Sequence, residues 1–405
     1  TIVIALAVTL FGTIMGLFYA WLLGRSDIPA KGFMRAMFTI PYMFPPFFGA
    51  MAWDLLFSGR AGYVNKWLMA TFHLASAPIN INSIGGIIFV ECSYYFPFVF
   101  MQVVSALERM DPTLEESARI AGAKQGQVIA KITIPLVKPA ISAGALLILI
   151  SSLAHFGVPS ILGFSKNIYT LPTMIYALIY KSSGSFEGIR QGAALSILLV
   201  AVALVIQKRV LSSGSYDIIK GKSMRPTLIK LRGAKYPLLA FACLTLIVIV
   251  VVPLVMIFLV ALVNAYGLPL TPENFSLKNY QKVLTSTATL DSIKNSLFLS
   301  VTAGIVCMFL GVMVAYVINR IKPKGKGILE ILSVLPYSIP GTVLAIGVIL
   351  SWSGSIFGIK LYNTIWIILV AYMARYLSFS MKSASASLQQ VNSSLEEASR
   401  ACGAT

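Results

Sequence analysis

The feature that most restricts how this chain can fold is the recurrence of apolar runs of about 20 residues, each enough, as a helix, to cross roughly 30 Å of hydrocarbon. About nine are counted, near residues 2 to 23, 34 to 57, 84 to 107, 139 to 163, 188 to 208, 237 to 263, 293 to 319, 328 to 352 and 360 to 384. Lipid offers no partner to backbone N–H and C=O groups, so runs of this kind must satisfy them internally as helices. A β-barrel would alternate apolar and polar residues over about ten positions instead. The chain therefore reads as an all-α polytopic membrane protein, and a charged fraction of only 11% agrees. It opens with Thr1 inside an apolar run and closes at Thr405 partway through a repeated motif, which reads as a chain truncated at both ends. No basic n-region or cleavage signal supports a signal peptide.

The formal net charge of +18 would suit a nucleic-acid binder, but in a polytopic protein the side on which charge lies matters more than its sum. Arg25, Lys31 and Arg35 fall in one set of loops, with Arg109, Arg119, Lys124, Lys131 and Lys138, the run from Lys208 to Lys235, and Arg320 to Lys326. The alternate loops carry few cations: Arg60, Lys66, Lys166, Lys181, Lys278 and Lys282. The first set is then cytoplasmic by the positive-inside rule, and no nucleic-acid partner is expected. Cys92, Cys243, Cys307 and Cys402 are scattered without C-x-x-C spacing and read as small core residues. His73 and His155 lack the helical pairing of a metal site, so no metal or cofactor is expected.

The chain repeats itself at two offsets. At a shift of 281, "LERMDPTLEESARIAGA" lies on "LQQVNSSLEEASRACGA", so that Glu115, Glu116, Arg119, Gly122 and Ala123 meet Glu396, Glu397, Arg400, Gly403 and Ala404. At a shift of 295, Gly16, Arg25, Pro41, Tyr42 and Pro45 meet Gly311, Arg320, Pro336, Tyr337 and Pro340. An even number of expected spans separates the two polar motifs, so the halves are parallel and present the same loop on the cytoplasmic face. An inverted-repeat transporter would place them on opposite faces. The expected organisation is a first half over 1–208, a basic linker over 209–235 and a second half over 236–405. Gly221, Lys222 and Ser223 resemble the end of a phosphate loop, but Tyr216 stands where its first glycine belongs, so this chain is not expected to hydrolyse nucleotide.

Each polar motif reads as a short capped helix. Asp111, or Asn392 in the second copy, caps it, Pro112 occupies its first position, and Gly122 or Gly403 supplies a left-handed stop. About ten residues, or roughly 15 Å, cannot span a membrane. Glu115 and Arg119 stand as an i,i+4 pair, repeated by Glu396 and Arg400, and Leu114, Ala118 and Ala121 form a small apolar stripe. Two such helices on one face suit the docking of two identical partners.

"EESARIAGAKQGQVIAKITIPL" resembles the EAA loop of ABC importer permeases, with Glu116, Ser117, Ala118, Gly122, Ile132 and Pro135 on the pattern, and Ser117 and Ile134 departing mildly from it. In the second copy Glu397, Ala398 and Gly403 fit while Ser399 departs. "PYMFP", "PYSIP" and "AYMARYLSFSMKSASASLQQ" extend the likeness along nearly the whole chain, toward fused two-half permeases similar to ferric-iron importers. The resemblance implies two pseudo-twofold-related halves of the type I kind and a bacterial inner-membrane location. It also implies two ATPase subunits that bind ATP, and an extracytoplasmic binding protein that delivers substrate. Glu116 with Gly122, and Glu397 with Gly403, inherit the coupling role. The permease itself would not be an enzyme. Ferric iron is the first substrate expectation, with 2-aminoethylphosphonate, thiamine, polyamine and sulfate as alternatives on the same scaffold. A secondary transporter or channel is the competing class, and would be expected to carry several buried carboxylates.

Ionisable groups inside spans are costly and therefore mark candidate function. Glu91 and Arg375 lie in equivalent runs, one turn apart in the repeat frame, and are expected to approach each other or to flank the pathway. Pro41, Pro45 and Pro46, with Pro336 and Pro340, interrupt otherwise continuous runs and suit a gate. Tyr94 is a further pathway candidate.

Overall fold

A computed structural model describes residues 1–59, 61–181, 186–211, 228–265, 267–354, 358–390 and 402–403. Helices make up the described architecture, and the only β pairings among these residues are two isolated bridges, Ser26 with Ile229 and Val263 with Phe275. The first helices are α1 (Ile2–Arg25), α2 (Lys31–Met43), α3 (Pro46–Phe57), α4 (Tyr63–Phe72), α5 (Ile84–Arg109) and α6 (Thr113–Ile120). There follow α7 (Gln125–Leu153), α8 (Gly157–Phe164), α9 (Leu171–Lys181), α10 (Phe186–Leu211) and α11 (Arg232–Leu262). The chain continues through α12 (Lys278–Thr285), α13 (Thr287–Ile321), α14 (Lys326–Ser338), α15 (Gly341–Ser351) and α16 (Ile365–Gln390).

Among the described residues six helices are long and apolar enough to cross a membrane, or seven if the pair α14 and α15, bent by 108°, counts as one broken span. Among the described residues, not every expected run is one uninterrupted helix. The run near 34 to 57 is two helices, α2 and α3, and the run near 139 to 163 divides into α7 and α8. Apolarity registers transfer into lipid but not where the backbone turns, so a broken span and a straight one read alike. The run near 188 to 208 lies in α10, part of whose side chains fall outside the described residues.

The helices gather into two compact units, one comprising Thr1–Ala177 and Ala201–Tyr280, the other Leu178–Val200 and Gln281–Thr405. In the first, α5 is the central helix: 72% of its span is buried, against 33% for α1 and 28% for α7. Ser83 starts α5 by accepting the Gly86 N–H at 3.1 Å, satisfying one of the free donors at a helix end. A Cβ on Gly16 of α1 would lie 2.7 Å from the Phe96 carbonyl oxygen, and one on Gly144 of α7 would lie 2.6 Å from Val99 Cα. Small residues let the backbones of α1 and α7 approach α5 closely, the usual source of helix packing where hydrophobicity offers no contrast with lipid. Tyr19 packs on Phe38 with ring centroids 4.3 Å apart, and its hydroxyl donates to Thr245 on α11 at 2.5 Å. The helix that opens the sequence's second half therefore packs within the first unit.

The second unit repeats the inner geometry of the first. Shifted by 295, the bounds of α2 become those of α14, and Pro46 at the start of α3 becomes Gly341 at the start of α15; shifted by 281, the bounds of α5 become those of α16. A Cβ on Gly311 would lie 2.6 Å from Ser380 Cβ and 2.8 Å from the Met381 nitrogen, and these are the repeat counterparts of Val99 and Phe100, which crowd Gly16.

Candidate functional site

The polar motif folds as the eight-residue α6. Asp111 opens it, its Oδ1 accepting the Thr113 N–H at 2.9 Å and the Thr113 hydroxyl at 2.8 Å. These two donors hold the Asp111 carboxyl below its ordinary value. The helix begins at Thr113, one residue beyond the expected Pro112, which is itself helical in φ and ψ. Its end is a complete Schellman motif: the Gly122 N–H donates to Arg119 O and the Ala123 N–H to Ala118 O, each at 3.0 Å, with Gly122 at φ +86°. Gly403 in the second copy has φ +90°. Glu396, Glu397 and Arg400 lie outside the described residues.

The two adjacent glutamates of α6 face different surroundings. Glu116 is half-buried, whereas Glu115 is buried, with Oε1 3.4 Å from Arg25 Nη2 at the end of α1 and accepting the Thr133 hydroxyl at 2.6 Å. Thr133 closes the π-turn Ile129–Thr133 of α7. The expected Glu115–Arg119 pair does not form among the described ion pairs, because Glu115 turns inward to a buried guanidinium that needs it more than the half-buried Arg119 does. Buried guanidinium N–H groups of both Arg25 and Arg119 have no hydrogen-bond partner. Leu114 is exposed, Ala118 half-buried, and Ile120 87% exposed, so the outward apolar surface of α6 is larger than the stripe of small residues.

Within the membrane-spanning region each expected ionisable group has a partner in its own unit. Glu91, wholly buried on α5, takes a hydrogen bond from the Ser152 hydroxyl and lies 3.0 Å from His155 Nδ1. Ser152 lies in the last turn of α7 and His155 in the break before α8, so one carboxylate ties the end of α7 to the turn that follows it, and the Tyr95 ring stands edge-on to His155 at 5.5 Å. Arg375 donates from Nη1 to Ile339 O at 2.8 Å, satisfying a carbonyl beside Pro340, and its guanidinium lies against Gly341. Its repeat counterpart Tyr94 covers Gly49 of α3 so closely that a Cβ there would sit 2.2 Å from the ring. His155 and Ser152 went unassigned in the sequence, although a histidine inside an apolar run carries the same signal as Glu91.

Pro41 and Pro336 sit inside α2 and α14 and do not end them. The breaks fall later, at Phe44–Pro45 with φ, ψ of −90°, 141° and −58°, 126°, and at Ile339–Pro340 with −81°, 132° and −52°, 138°. Phe44 and Ile339, before Pro45 and Pro340, are extended, as the pyrrolidine ring disfavours the helical region for the residue that precedes it. Pro41, Phe44, Phe48 and Tyr94 line a small apolar cleft with Ile249 and Pro253 of α11. No cluster of three metal-ligating side chains occurs among the described residues.

The sequence profile of the family described as "Binding-protein-dependent transport system inner membrane component" matches residues 9–214 and 307–405. Among curated proteins, one named as a ferric transport system permease in Haemophilus influenzae is 28% identical over 96% of this chain and 60% of its own length. The ferric transport system permease of Actinobacillus pleuropneumoniae is 27% identical over 96% of this chain and 56% of its own length. The molybdenum transport system permease of Escherichia coli K12 is 33% identical over 49% of this chain and 85% of its own length. The chain thus spans somewhat under two thirds of the ferric relatives it matches. The capped α6, the doubled break geometry and a profile match across both halves lead to one conclusion: the chain belongs to the family of binding-protein-dependent transport system inner membrane components.

Proposed function

We propose that this chain forms the membrane pathway of an ATP-driven importer whose energy comes from two separate ATPase subunits docked at α6 and at its repeat around Gly403. An extracytoplasmic binding protein delivers the substrate, and both polar motifs face the cytoplasm of a bacterial inner membrane. The observation that carries this reading is the rigid, outward-facing α6, too short to span, stopped by a left-handed glycine whose repeat counterpart has the same backbone sign. A helix fixed at both ends transmits a push from a partner without fraying, which a loop cannot do. Glu116, Ala118, Arg119, Gly122 and Ala123 serve this contact in the first half, and Glu397, Arg400 and Gly403 in the second. Glu115 holds the helix from within, and Glu396 is assigned to the coupling motif of the second copy by the repeat. ATP is bound by the partner, and the permease carries no catalytic group of its own.

Ferric iron is the favoured substrate, supported by likeness to two ferric permeases over 96% of this chain. The higher identity to a molybdenum permease over half the chain favours an oxyanion as the second reading. Tyr94, Glu91, Arg375 and the breaks after Pro41 and Pro336 are assigned to shaping the pathway. The test is to replace Gly122 and Gly403 together with Trp in the assembled transporter and to measure ATPase co-purification and uptake of ferric iron and molybdate. Loss of both association and uptake is expected. Undiminished association and uptake would overturn the docking role, and molybdate uptake without iron would overturn the substrate assignment.

A further inference from the structure

The inner end of α1 carries two attachments within three residues. On one side buried Arg25 meets Glu115 of α6 at 3.4 Å. On the other, the chain leading into α11 is stitched to the α1–α2 loop. The Ile229 N–H donates to Arg25 O at 2.8 Å, the Asp27 N–H donates to Ile229 O at 3.1 Å, and Ser26 and Ile229 form a parallel bridge. The Asp27 carboxylate then accepts the Leu231 N–H at 2.9 Å on Oδ1 and meets Lys235 Nζ at 3.3 Å on Oδ2. Lys235 lies in the first turn of α11. The basic linker is therefore fastened to the α1–α2 loop from Leu228 onward.

We propose that Arg25, Ser26 and Asp27 form a positioning junction that links α6 of the first half to the first span of the second half, so that displacement of α6 moves α11 with it. This rests on α6 being the ATPase-coupling helix. Arg25 is the pivot. Among the described residues its buried charge is paired with Glu115, so the helix end cannot leave α6 without exposing an unpaired ion to a poor solvent. Asp27, two residues on, carries that movement through a backbone ladder rather than through a flexible side chain. The repeat does not duplicate the second attachment: Lys322 stands at the position equivalent to Asp27. The junction therefore belongs to one half only.

The experiment uses the full transporter with its ATPase and binding protein in proteoliposomes, reading substrate moved per ATP hydrolysed. Arg25→Met, Glu115→Leu and Asp27→Ala each should lower that ratio by about tenfold, and with Asp27→Ala, which makes no contact with α6, ATPase subunits should still co-purify at the parental level. The pair Arg25→Met with Glu115→Leu should be no worse than the poorer single change, because contacting residues are not additive. Additive losses, or ratios unchanged from the parent, would overturn the junction. Should a single variant fail to insert, Ser26→Cys with Ile229→Cys tests the same point, since an oxidised bridge should leave transport within about twofold. Abolished transport on bridging would mean that loop and linker part during the cycle, contrary to the proposal. If Gly122→Trp abolishes ATPase association while the junction variants keep the parental ratio, only the junction fails; if Gly122→Trp has no effect, the coupling reading fails first.

Discussion

Glu115 and Glu116 are neighbours with opposite environments, and the difference fixes what each substitution should cost. Glu115→Gln leaves the Arg25 guanidinium buried without a counter-charge, and breaking a buried pair in this way costs about 3 to 5 kcal/mol. Glu116→Gln, on the half-buried side of α6, should stay within about 0.5 kcal/mol. Thermal unfolding of the two variants in detergent, compared with the parent, separates the cases. Asp27 gives a prediction of a different kind. The Leu231 N–H, and then Lys235, hold its carboxyl below the ordinary aspartate value. Its contribution is thus present above the ordinary aspartate pKa of about 3.9 and disappears as pH falls through the lower folded value. Melting temperatures of the parent and Asp27→Asn should differ at neutral pH and at pH 5, and converge only in stronger acid.

At the scale of the element, the repeat proves to be a packing rule as well as a sequence match. Gly16 and Gly311 sit where a Cβ would strike a neighbouring helix below 3 Å, whereas a Cβ on Gly304, seven residues earlier on α13, meets nothing within 4 Å. Gly16→Ala and Gly311→Ala should each cost about 1 to 3 kcal/mol by overpacking. Gly304→Ala should be neutral or stabilising by up to about 1 kcal/mol, since alanine favours the helix. Unfolding in denaturing detergent mixtures ranks the three. Pro41 and Pro336 carry a related lesson: a proline near the last turn of a helix was tolerated, and the chain turned only where a second proline followed. The expectation of interruption was sound, but its position depended on which carbonyls found other partners, such as Ile339 O on Arg375.

At the scale of the whole molecule, the distribution of cations predicts an orientation, and that orientation is open to direct test. In a cysteine-free background, single cysteines at Lys31 and Lys124 should be protected from an impermeant thiol reagent added outside spheroplasts, and one at Lys66 should react. Labelling of all three from outside would contradict the assignment of α6 to the cytoplasmic face. The two compact units also qualify the division into halves. Thr245 on α11 receives the Tyr19 hydroxyl, so the second repeat's opening helix contributes to the core of the first unit.

The membrane class, the sequence repeat and the capped short helix were legible in the residues themselves, because apolar run length, aligned motifs and helix-end chemistry are local to neighbouring positions. Family membership was legible for the same reason, since its motif is continuous. The partners of Glu115, Glu91 and Asp27 were decided only by the tertiary structure. Arg25 and Glu115 stand 90 positions apart, Asp27 and Leu231 204, and no local pattern states which way a buried side chain will turn. An ion taken out of water must find its counter-charge wherever the packed helices place one, and that choice belongs to the assembled fold.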